Sequence, residues 1–123
     1  MIFDHIGLVV SDLIRSRAFF SQALAPLDIG VAAEFQDSIG LGRDGRPQLW
    51  LAAGSDQSSP LHMAFAAANR AQVDAFHQAA ILAGGTDNGA PGLRPHYHAN
   101  YYAAFVIGPD GHNVEAVCHQ KPD

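Results

Sequence analysis

Cysteine is nearly absent from this chain: Cys118 stands alone, which excludes an intrachain disulfide and points to a reducing compartment. Lysine is as scarce. Six arginines and one lysine face twelve acidic residues, for a formal charge of −5, and no basic run occurs. Nothing supplies the cationic footprint that a phosphate backbone requires, so no nucleic-acid partner is expected. No apolar run approaches the ~20 residues that span a bilayer, so no membrane association is expected. The start, MIFDHIG, has no charged segment leading into a long apolar stretch, so no leader is expected and a cytoplasmic location is.

What is present suits a folded enzyme-sized domain. Apolar residues make up 48% and charged residues 15% of 123 positions, enough to bury one core and too few residues for two. A single domain over residues 1–123 is expected.

Apolar and β-branched residues run to Val10 and meet Ser11-Asp12, which predicts a strand feeding a capped helix. Leu13, Phe20 and Leu24, with Phe19 and Ala23 beside them, form one helical stripe that Pro26 ends. Short strands are predicted over 29–35, 38–41 and 48–52, punctuated by Gly40, Gly42, Asp44-Gly45 and Pro47. The polar stretch GSDQSSP, residues 54–60, reads as a linker. After it the order returns: LHMAFAA as strand, Asn69 as cap, then Val73, Phe76 and Ala80 as a helix face ending at Gly84-Gly85. Two strands, 101–107 and 112–118, close the chain around Pro109-Asp110-Gly111.

Sliding the chain by 57 places sets His5 on His62, Ala18 on Ala75, Phe19 on Phe76 and Ala23 on Ala80. The matching element order makes an α+β protein of two βαβββ modules the simplest description, module one over about 1–53 and module two over about 61–119. In each, one helix covers one face of a sheet and leaves the other open.

Strand side chains alternate faces, so parity assigns that open side. With Ile6, Leu8 and Val10 under the first helix, His5 lies opposite; with Met63 and Phe65 under the second, His62 does. In GPDGHNVEAVC, Val114, Ala116 and Cys118 take the covered face and Glu115 the open one, with Phe105 across from it and Tyr101 on the same side. Two imidazoles and a carboxylate on one concave surface form a facial set for a divalent metal, with positions left for water and substrate. Each has an ordinary alternative: a histidine at a strand end is more often hydrogen-bonded or exposed than a ligand, and Glu115 alone would suit a solvated sheet face.

These residues resemble the vicinal oxygen chelate superfamily, the glyoxalase, bleomycin-resistance and extradiol dioxygenase group. DHIGLVVSDLIRSRAFF is similar to its first strand and helix, HMAF to its fifth strand, and GPDGHNVEAV to its terminal hairpin. The resemblance implies the glyoxalase/bleomycin resistance/dihydroxybiphenyl dioxygenase fold, often dimeric, with one divalent metal ion (Fe, Mn, Zn or Ni) held at positions matching His5, His62 and Glu115. Glyoxalase I enzymes take a fourth ligand from the fourth strand, where PQLWLAA places Trp50, whose indole cannot ligate, and Gln48. The dioxygenases carry a tyrosine about ten residues before the carboxylate, where this chain has Phe105.

Residues 84–100, GGTDNGAPGLRPHYHAN, read as a long loop that reaches over the cleft, with Arg94, His96 and Tyr97 as substrate-binding candidates. Trp50, Phe105 and Tyr101 are expected to form an aromatic wall for a small-molecule substrate, with Gln48 beside them. The function expected is a metal-dependent enzyme of lyase, isomerase, epoxide-opening or dioxygenase type, with Glu115 also moving a proton. The alternative is a metal-free protein that sequesters a small molecule or drug. A homodimer is expected, since open sheets need a partner to close a cleft.

Overall fold

The computed structural model describes residues 3–55 and 60–122. β1 (Ile6–Val10) buries Leu8 and Val10 and leaves Gly7 exposed, as period-two alternation requires. The Asp12 carboxylate accepts the Arg15 N–H at 3.1 Å and so starts α1 (Leu13–Leu24). One 3₁₀ turn over Ala25–Leu27 follows, and Asp28 at φ 62° turns the chain into β2 (Gly30–Glu34). β3 (Ser38–Arg43) and β4 (Arg46–Ala53) run longer than the predicted 38–41 and 48–52, because pairing across the hairpin draws in Gly42, Arg43, Arg46 and Pro47. Of the predicted linker, residues 56–59 lie outside the described residues.

The second module repeats this: β5 (His62–Ala66), then α2 (Arg70–Leu82) capped by Asn69, whose side chain accepts the Gln72 N–H at 2.8 Å. β6 (Thr86–Leu93), β7 (Tyr102–Ile107) and β8 (Asn113–Cys118) complete it. The sheets have strand orders β1-β4-β3-β2 and β5-β8-β7-β6, each with one parallel pair, β1 with β4 and β5 with β8. This is an α+β fold of two βαβββ modules.

β6 replaces much of the loop that the sequence predicts over residues 84–100. Its TDNGAPGL carries two glycines, a proline and three short polar residues, so it has no strand signature. It forms because it is an edge strand paired only with β7, where Pro91 need not donate, and irregularities between Asp87 and Gly89 and between Gly89 and Gly92 absorb the poor fit. Only the turn over 94–101 remains, held by Arg94 N–H to Tyr101 O at 2.7 Å and Tyr97 N–H to Arg94 O at 3.0 Å.

Both helices pack against each other, and one core takes side chains from both sheets: Leu8, Leu49 and Leu51 from the first, Val106, Val114 and Cys118 from the second. Phe19 of α1, 2% exposed, reaches across to the second module. A Cβ on Gly108 would lie 2.8 Å from its ring, so the bare backbone there is what admits it. At the same junction Ser11 donates its N–H and hydroxyl to the Asp110 carboxylate at 3.2 and 2.6 Å. Among the described residues, no helix is long and apolar enough to cross a membrane.

Candidate functional site

Parity and register bring the site together. β5 and β8 run parallel with Ala64 opposite Glu115, so His62, two residues earlier on the same face, reaches diagonally to it. Ala64 is small and leaves the diagonal clear. On the other side Phe105 stands directly opposite Glu115 in the antiparallel β7 pairing, as the hairpin position predicts. Glu115 is 1% exposed. A carboxylate so enclosed is costly unless both oxygens are engaged. They are: Oε1 lies 2.7 Å from His62 Nε2, and Oε2 accepts the Tyr101 hydroxyl.

Burial first, then the hydrogen bond and charge of Glu115, push the Tyr101 hydroxyl up to about 12 from its usual 10.0. Tyr101 thus stays a neutral donor at any physiological pH. Because the folded value lies above the ordinary one, its contribution is complete below pH 10 and is lost as pH rises toward 12. Urea midpoints of metal-free protein are expected to fall across that window, and Tyr101→Phe to flatten the fall. Tyr102 is raised too, chiefly by its hydrogen bond to Asp74, so some slope persists in the variant. An unchanged slope would refute the Tyr101 contribution.

His5 stands apart from this pair. Its Nδ1 lies 2.7 Å from Asp4 Oδ1, and its side chain is 59% exposed. It does border, with His62, a groove of about 440 Å³ that Ile6, Ile29, Leu41 and Gln48 also line. β1 and β5, which bring the two histidines, are the edge strands of their sheets. Among the described residues, no three of His, Cys, Asp or Glu are grouped closely enough to hold an ion. One chain therefore joins His62 to Glu115 and leaves His5 outside.

The donor chemistry of the joined pair fits a divalent ion. The imidazole nitrogen and the carboxylate oxygen, 2.7 Å apart, are within hydrogen-bond reach, and both are donor types that a divalent ion takes. Tyr101 takes Oε2, and Oε1 faces His62.

The other candidates separate into groups. Trp50 belongs to the first sheet and stacks on Phe35, centroids 6.0 Å apart. It has no ring contact with Phe105 or Tyr101 among the described residues, so the expected wall is two surfaces. Phe105 lies 6.1 Å from the His62 ring and carries the Arg94 guanidinium at 5.4 Å. Tyr97 packs between His96 and Tyr101 at 4.2 and 4.8 Å. Two features escaped the sequence reading. Tyr101 holds the carboxylate, where a substrate contact was expected; its parity with Glu115 was the available signal. His119 meets His98, its Nδ1 2.6 Å from His98 Nε2, and nothing in the local pattern announces that pairing.

Comparison with known proteins agrees with this fold. The family model described as Glyoxalase/Bleomycin resistance protein/Dioxygenase superfamily matches residues 2–116. A glyoxalase/bleomycin resistance protein from Albidiferax ferrireducens T118 superposes with a TM-score of 0.84 at 26% identity, covering 98% of this chain and 100% of that one. A glyoxalase/bleomycin resistance protein/dioxygenase family enzyme from Burkholderia phytofirmans PsJN gives 0.74 at 18% identity, over 95% and 98% of the two chains. The E144Q mutant of glyoxalase I from Zea mays gives 0.71 at 24% identity, over 94% of this chain and 46% of that one. Among curated proteins none matches.

Proposed function

The chain belongs to the Glyoxalase/Bleomycin resistance protein/Dioxygenase superfamily, and we propose that within it this is a divalent-metal-dependent enzyme acting on a small substrate through two neighbouring oxygens. The observation that carries the reading is the buried Glu115 with His62 Nε2 at 2.7 Å. An enclosed carboxylate beside an imidazole on the open face of a sheet supports the reading, because these are the two side-chain types that a divalent ion takes. His62 and Glu115 would hold the ion (Fe, Mn, Zn or Ni), and His5 would complete the set from a second copy of the chain in a cytoplasmic homodimer. When bound, such an ion supplies Lewis-acid polarisation of the paired oxygens. Glu115 accepts or returns a proton at Oε1, Tyr101 keeps its carboxylate in place, and Phe105 excludes water from that flank.

Chelation followed by reloading tests this. About one ion per chain is expected in wild type, with loss in His5→Ala and in His62→Ala. Mixing the two variants and letting the dimers exchange should restore about a quarter of the sites, since half the dimers become mixed and each of these regains one intact set. No recovery would sink the exchanged arrangement. The sequestering alternative draws support from the meeting of only two ligands within one chain, and wild type that retains no ion after reloading would favour it.

A further inference from the structure

Arg94 follows directly on β6 at the open face of the second sheet, and its surroundings differ from those of a surface arginine. The guanidinium is half-buried and lies 5.4 Å above the Phe105 ring, which is itself opposite Glu115 in register and 6.1 Å from His62. Its Nη1 donates to Gly92 O at 2.8 Å and its Nη2 to Ala90 O at 2.9 Å. Gly89 makes room for it: a Cβ there would lie 3.1 Å from Nη2 and 2.9 Å from Phe105. So the guanidinium is held over an aromatic ring by carbonyls of its own strand, with two of its five donors engaged.

Among the described residues no carboxylate pairs with it. Among the described residues, the ion pairs join His5 to Asp4, Arg17 to Glu34, His62 to Glu115 and His77 to Asp87, and none includes Arg94. Carbonyl oxygens satisfy hydrogen bonds without neutralising charge, and a partly desolvated cation held rigid without a counter-charge is a waiting anion site. Only one phenyl ring separates it from the His62–Glu115 pair.

We propose that the substrate carries a carboxylate bound by Arg94, so that the substrate class is a small aromatic or compact acid whose two neighbouring oxygens sit at the end opposite its carboxylate. This rests on the metal-dependent reading for the oxygens and not for the acid group. The Phe105 face suits the flat body between the two ends, and a fixed guanidinium fork recognises a carboxylate with two parallel hydrogen bonds.

Calorimetric titration with two probes tests it: 3,4-dihydroxybenzoate, and its neutral amide, 3,4-dihydroxybenzamide, which keeps the same paired oxygens. Zinc-reloaded wild type should bind the benzoate on the order of tenfold or more tightly than the amide. Arg94→Gln should abolish that margin while leaving amide affinity and zinc content unchanged, and Arg94→Lys, which keeps the charge without the fork, should retain part of it. A thermal melt of each variant checks that β6 still folds. In chelator-treated wild type both probes should weaken while the margin persists. A margin with no effect of zinc on either probe counts against the metal site and leaves the Arg94 assignment standing. Equal weakening of both probes by Arg94→Gln, a margin that survives it, or no binding of the benzoate to any form of the wild-type protein would each overturn the inference.

Discussion

Glu115→Gln is expected to lower affinity for a divalent ion by more than about 100-fold and to leave the fold nearly as stable as wild type. Gln has the shape of Glu, so its amide oxygen can accept the Tyr101 hydroxyl and its NH₂ group can donate to His62, the two contacts Glu115 now makes. What it lacks is charge. Glu115→Ala should lose the ion as completely and in addition cost about 1–3 kcal/mol, because the half-buried Tyr101 hydroxyl then loses its acceptor. Metal analysis after dialysis, paired with urea melts of the metal-free proteins, separates the two effects. Full loading of Glu115→Gln at wild-type affinity would remove the carboxylate from the site altogether.

Phe19→Ala is expected to be the most damaging single substitution for the fold, at about 3–5 kcal/mol, a large part of the ~5–15 kcal/mol that holds a domain together. The ring is 2% exposed and joins α1 to the second module at Gly108, so its loss opens a void where the two halves meet. Tm should fall on the order of 10–20 °C. Gly108→Ala alone should also destabilise, because its Cβ would come 2.8 Å from the ring. Combined with Phe19→Ala it should cost much less, since the obstructing ring is gone; that non-additivity is read from a double-mutant cycle. Purely additive losses would show that the contact does not couple the modules.

The pattern of each element carried most of the fold. α1 spans the twelve residues that its apolar stripe and the Pro26 stop predict, and Asn69 caps α2 as its position implies, because caps and 3.6-residue periods are local. β6 was invisible for the converse reason: its residues lack strand preference, and only pairing with β7 holds them extended. Parity likewise put His62, Glu115, Tyr101 and Phe105 on one face. It did not say that Tyr101 would turn its hydroxyl to Glu115, that Trp50 would pair with Phe35, or that Arg94 would lie over Phe105 without a counter-ion.

What the chain's residues determined unaided was therefore everything with a short period: the helices, seven of the eight strands, the repeat, and the side of each sheet on which a polar group stands. Tertiary packing alone decided which of those groups touch. Alternation along a strand repeats every two residues whatever lies beyond it, whereas the meeting of His62 with Glu115 depends on how strands distant in the chain are set beside one another.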